Sequence, residues 1–101
     1  MVESMEELEA QVRRRMYQMQ DLADRLVAVR VRESSPDGTV AVEVDGNGAL
    51  LALELSSAIS GMSPAEFERV VVDTSGSAAR KAFEQRAELI TAFNEETTGP
   101  R

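Results

Sequence analysis

The apolar residues of this chain change period twice, and that ordering limits the folds open to it. They recur at steps of three, four and seven through the first quarter, alternate through the middle third, and return to helical spacing in the last third. A 3.6-residue period marks a helix with one apolar stripe, and a period of two marks a strand with one apolar face. The chain therefore reads helix, strands, helix. In the first segment, Met5, Val12, Met19 and Leu26 form one seven-spaced row, and Leu8, Arg15, Leu22 and Val29 form another, interrupted only by Arg15. Ser4 is placed as an N-cap with Glu7 as its capping-box partner. Glu3, Glu6, Glu7 and Glu9 suit the positive end of the helix dipole, and Arg25 suits the negative end. The spacing predicts a helix over about 4–28. Its seam of Met5, Leu8, Val12, Met19, Leu22 and Leu26 is suited to a partner helix or to the chain's own sheet. Met5, Met19 and the neighbouring Met16 make that stripe adaptable.

The middle third predicts three strands, at about 28–34, 39–45 and 49–55. Val27, Val29 and Val31, then Val40, Val42 and Val44, then Leu51, Leu53 and Leu55 alternate with small or charged residues. Each strand thus has one apolar and one mixed face, as in an antiparallel sheet covered on one side. Asp37-Gly38 and Asn47-Gly48 supply the positive φ that hairpin turns need. On the mixed face Arg30 and Arg32 fall near Glu43 and Glu54, where cross-strand ion pairing explains them.

Ser56 to Met62 reads as a connection, and Ser63-Pro64-Ala65-Glu66 opens a helix predicted over about 64–96, with a frayed tail at 97–101. Phe67, Val71, Thr74, Ala78, Ala82, Leu89 and Phe93 share one broad face of it. Gly76 costs about 1 kcal/mol relative to Ala in a helix, so either a bend or a closely packed neighbour is expected there. The whole chain, 1–101, is read as one α+β domain of order αβββα, with no internal repeat or dividing linker. A chain of this size buries only roughly 60–65% of its unfolded surface. Two long helices over a small sheet leave apolar surface showing, and a second copy would cover it. A dimer is therefore expected.

Composition removes several classes of function. With no Cys there is no thiolate chemistry or disulfide, and with no His the commonest general base and metal ligand are missing. The acidic residues form no metal-loop pattern, and Ser and Thr lack a base to activate them. No enzyme, metal or cofactor is expected. Gly46-Asn47-Gly48 lacks the Lys-Ser/Thr and the helix that would follow in a phosphate loop, so it reads as a hairpin. The apolar stretches are short and the N-terminus has no signal pattern, which predicts a cytoplasmic protein without a membrane partner.

The net charge is −7, from 11 basic and 18 acidic residues, and no third of the chain is basic. Total charge gives no steering toward nucleic acid, so any DNA contact must come from local clusters. The densest is Arg13-Arg14-Arg15. Consecutive residues fan around a helix at about 100° each, so the three cannot all face one partner. In one reading Arg13 and Arg14 are solvated, pairing near Glu9 or Gln18, while Arg15 fixes the seam's register. In the other, two of the three touch phosphates. Arg80-Lys81, with Arg86, forms a second cluster, open either to phosphate contact or to pairing along the helix with acids such as Glu84. Arg69 reads as solvated. Tyr17 is the only tyrosine and there is no Trp, so stacking on single-stranded bases has little support.

Several segments together resemble the YbaB/EbfC family of nucleoid-associated proteins, from about Met5 to Leu89. They are Met16-Tyr17-Gln18-Met19-Gln20-Asp21-Leu22, Gly38-Thr39-Val40-Ala41-Val42-Glu43-Val44-Asp45-Gly46, Leu53-Glu54-Leu55-Ser56 and Ser77-Ala78-Ala79-Arg80-Lys81-Ala82. The resemblance implies a nucleoid-associated homodimer with projecting helices that binds duplex DNA with low sequence specificity. The family's contacts lie on the first and last helices, which implies Arg13, Arg14, Arg15, Arg80, Lys81 and, more weakly, Arg86 as DNA-binding residues here. The chain departs from the family in lacking a Pro-rich tail and in a first helix rich in Arg and poor in Lys. In this it resembles shorter actinobacterial relatives, some tied to specialised secretion, for which binding a protein partner or pairing with a paralogue is the alternative role.

Overall fold

The computed structural model describes residues 4–98. Helix α1 (Met5–Val27) leads to strands β1 (Arg30–Ser34), β2 (Val40–Asp45) and β3 (Leu50–Leu55), a short 3-10 turn (Ser57–Gly61) and helix α2 (Pro64–Thr98). The sheet is an antiparallel meander in the order β1-β2-β3. This is the αβββα, α+β architecture expected from the changes of period.

Local chemistry accounts for the boundaries. Ser4 Oγ accepts the Glu7 amide at 3.1 Å and starts α1. Ser63 Oγ accepts the Glu66 amide and donates to the Glu66 carboxylate, both at 3.1 Å, which starts α2. The Arg30 guanidinium donates to the Val27 and Val29 carbonyls at 3.0 and 2.7 Å, satisfying oxygens at the end of α1. In the first hairpin Asp37 Oδ1 accepts from the Ser35 hydroxyl and from the amide and hydroxyl of Thr39. These bonds, Ser35's foremost, hold its carboxyl below the usual range. In the second hairpin Asp45 Oδ1 takes the amides of Asn47 and Ala49. Gly38 and Gly48 have φ of 74° and 79°.

The core lies between α2 and the first two strands. Val29, Val31, Val40, Val42 and Val44 pack on Ala78 and Ala82, with Val70, Val71 and Leu89 at the edge. The small residues of α2 let the helix sit close to the valines. Thr74 is buried on the same face, while Phe67 and Phe93 are half-buried.

Four expectations need correction. α2 runs through Thr98, so Thr97 and Thr98 continue the helix rather than fray; residues 99–101 lie outside the described residues. α2 runs unbroken through Gly76 without a close neighbour, since a Cβ there would meet nothing within 4 Å. Of the two settings open to the α1 seam, a partner helix and the chain's own sheet, the sheet is the one the structure removes. Leu22 and Leu26 are half-buried, whereas Met5, Leu8, Val12 and Met19 are exposed, because α1 meets α2 only near its C-terminal end. Finally, β3 has no covered face, and all six of its residues are exposed. α2 packs on β1 and β2 and leaves β3 outside. A bulge also changes its register: Leu55, Leu53 and Leu50 oppose Val40, Val42 and Val44, and Leu51 is the extra residue.

Candidate nucleic-acid interface

The position of the arginines follows from how α1 is anchored. Arg25, Ala28, Gln85, Glu88 and Leu89 surround one cavity, so the end of α1 meets α2 beyond its midpoint. Gly46 fixes the same junction from the hairpin side, for a Cβ there would meet the Leu26 carbonyl oxygen at 3.0 Å. At 1.5 Å per residue, α2 up to this junction and α1 each span about 35 Å. Laid end to end they account for the molecule's 71 Å length. The N-terminal half of α1 therefore runs past the end of α2 as a lone helix. No residue of α1 is buried.

Arg13, Arg14 and Arg15 sit on that projecting half, and all three are exposed. Among the described residues none of them makes a hydrogen bond or ion pair, so the expected pairing with Glu9 or Gln18 is not formed. Near the anchored end of α1, Arg25 pairs with Asp21 one turn away at 3.0 Å.

The second cluster divides. Arg80 is exposed and unpaired among the described residues. Lys81 Nζ instead lies 2.6 Å from the Glu33 carboxylate on β1, which also accepts the Ser77 hydroxyl at 2.9 Å. The Lys81 hydrogen bond, helped by Ser77, holds the Glu33 carboxyl below its usual range. Arg86 donates to the Gly46 carbonyl and to Asn47 Oδ1 at 3.5 and 3.3 Å, bracing the second hairpin. Neither side chain pairs with Glu84. Along the helix axes Arg14 and Arg80 are about 30 Å apart, so one protomer holds two separate cationic positions rather than one patch. The sheet's Arg32 pairs with Glu54, as the alternation led one to expect.

Sequence reasoning missed Glu33 and Asp45. Glu33 occupies an apolar-face position of β1, where a lone carboxylate breaks the alternation and signals a bonded partner. Asp45 precedes Gly46-Asn47-Gly48 at a spacing that suits side-chain capture of turn amides.

The profile of the YbaB/EbfC DNA-binding family matches residues 1–97. The chain belongs to this family. Membership in YbaB/EbfC supports association with DNA and the nucleoid, and the family is not one of enzymes. Among curated proteins none matches the chain. Of solved structures, the uncharacterized protein HP0035 from Helicobacter pylori is similar, with a TM-score of 0.67 at 14% identity over 90% of this chain and 97% of that one. At that identity the likeness shows a shared fold. Among the described residues no group of acidic side chains could hold a metal, and no helix is long and apolar enough to cross a membrane.

Proposed function

We propose that this chain is a nucleoid-associated homodimer that grips the backbone of duplex DNA through the arginines of its projecting α1 helices. The observation that carries this reading is the lone N-terminal half of α1, which presents Arg13, Arg14 and Arg15 to solvent with no internal partner. Guanidinium groups in this state meet phosphate oxygens without breaking an existing bond. Arg80 supplies the second position, about 30 Å away along the long axis, close to the 34 Å length of one duplex turn. Lys81 and Arg86 have structural partners, so their part in DNA contact is secondary: each would have to leave Glu33 or the hairpin. Contacts of this kind read phosphates rather than base edges, and sequence preference is low. The chain as a whole carries a net −7, and its acidic surface orients the duplex toward the arms by repelling it elsewhere.

A second reading follows from the same helix. Leu8, Val12 and Met16 line shallow grooves beside Arg13 and Arg15, a surface that suits an amphipathic protein partner. The two readings separate in a titration of random-sequence duplex followed by fluorescence anisotropy at several salt concentrations. The DNA reading predicts binding that weakens steeply with salt. No binding at low salt would refute it and favour the adaptor.

A further inference from the structure

The projecting half of α1 carries an apolar stripe whose spacing is the same in both directions. Met5, Leu8, Val12, Met16 and Met19 follow one another at steps of three, four, four and three, symmetric about Val12. Met16 takes the place that Arg15 holds in the seven-spaced row. At about 100° per residue, all five lie within about 40° of Val12 around the helix. They are between 46% and 71% exposed. A contiguous apolar stripe on a lone helix marks an interaction surface.

The flanks of the stripe carry charge in a matching order. Glu9 and Arg13 lie about 60° and 100° from Val12 on one side, and Arg15 and Gln11 lie about 60° and 100° from it on the other. Two shallow grooves follow this division. One is lined by Glu9 and Arg13 and the other by Gln11 and Arg15, with Leu8, Val12 and Met16 common to both. Glu9, like Arg13, makes no ion pair among the described residues.

We infer that this stripe docks against the same stripe of a second copy of the chain, the two α1 helices packing antiparallel with Val12 on the two-fold axis. A two-fold contact brings a patch against itself, so the patch must be self-complementary. Antiparallel packing about Val12 sets Met5 against Met19 and Leu8 against Met16, twice over. The same rotation keeps each flank facing its own copy. On one flank Glu9 falls within about 3 Å, along the axis, of Arg13 of the second copy. That gives both residues the ion pair they lack within their own helix, and such pairs set partner and orientation. On the other flank the two Arg15 side chains are about 9 Å apart along the axis and face Leu8 and Gln11. A parallel pair would instead set Glu9 against Glu9 and Arg13 against Arg13. Five side chains from each copy make a contact of the small class, below about 1,200 Å², so it forms reversibly. Arg14 lies about 160° from Val12, on the outer side, and stays open to phosphate. No residue of the sheet or of α2 takes part, so the contact is additional to the closure of the homodimer proposed above.

The chain has no cysteine, so single-cysteine variants report the contact without background. The test is diamide oxidation of Val12→Cys, Tyr17→Cys, Met5→Cys and Met19→Cys, followed on non-reducing gels, beside sedimentation velocity of wild type and Val12→Glu. Tyr17 lies about 140° from Val12 and is the outward-facing control. Val12→Cys should cross-link at least tenfold faster than Tyr17→Cys. Met5→Cys and Met19→Cys should link readily when mixed and slowly when each is alone. Wild type should gain a species of twice the mass as its concentration rises. Val12→Glu, which puts two carboxylates at the axis, should lack that species while keeping wild-type helicity by circular dichroism. Cross-linking of Val12→Cys no faster than of Tyr17→Cys, or a mass distribution that Val12→Glu leaves unchanged, would overturn the contact while leaving the homodimer standing. Met5→Cys linking faster to itself than to Met19→Cys would overturn the antiparallel arrangement.

Discussion

Glu33 offers a perturbation whose size and pH dependence follow from its contacts. Its carboxylate, 20% exposed, accepts from Lys81 Nζ at 2.6 Å and from the Ser77 hydroxyl. Together they tie β1 to α2 beside the core. Glu33→Gln keeps the shape and a neutral bond to Ser77 but removes the charge. A hydrogen bond to a charged group contributes about 1.5–3 kcal/mol. The Lys81 side chain is 55% exposed, so solvent screens the ionic part toward the surface value of under about 1 kcal/mol. The net expected loss at pH 7 is about 1–1.5 kcal/mol. The folded-state pKa of Glu33 is lowered from 4.5, first by Lys81 and then by Ser77. The group's contribution is therefore fully present above the unfolded value and is lost as pH falls through the folded one. Urea unfolding of wild type and E33Q, followed by circular dichroism at one protein concentration, should show the full difference at pH 7. The difference should shrink toward zero well below pH 4.5. Holding concentration fixed matters because dimerisation adds to apparent stability. An equal difference at both pH values would refute the electrostatic account and attribute the effect to shape alone.

Two further substitutions test the packing and the turn. Val42→Ala, at a fully buried position on the central strand, should lose about 2 kcal/mol in the same assay, from two methylene equivalents at about 0.8 kcal/mol each plus a residual cavity. Gly48→Ala should lose about 1–2 kcal/mol from the positive φ of 79°, with a further loss if the Phe83 ring, 3.0 Å from the new Cβ, cannot move aside.

Much of the fold was legible because local and tertiary preferences agree. The valines of β1 and β2 alternate in sequence and are buried in the structure, and both helix starts carry the caps that form. The β3 leucines show where such reading stops. Alternation identifies an apolar face but does not say whether this chain or another covers it, and a bulge at Leu51 moved the face by one residue. The α1 row likewise identified a seam without its partner. For the candidate site, the sequence placed Arg13, Arg14 and Arg15 on a helix. It did not reveal that this half of the helix stands clear of α2, which depends on the junction at Gly46 and Leu89. Nor did it separate Arg80 from Lys81 and Arg86, whose partners Glu33 and Asn47 are 48 and 39 residues away in sequence.

The central claim is that the α1 arginines contact DNA phosphates. Two of Arg13, Arg14 and Arg15 can face a duplex at once, and with Arg80 in each of two protomers they give six cations; the slope of log affinity against log salt is about −0.9 per phosphate neutralised, so at most about −5. The deciding measurement is that slope for wild type and for Arg13→Glu/Arg14→Glu on the same duplex, with dimerisation confirmed by sedimentation. The account predicts that the variant stays dimeric, binds far more weakly at physiological salt and loses about half of the slope. An unchanged affinity and slope in a dimeric variant would contradict it.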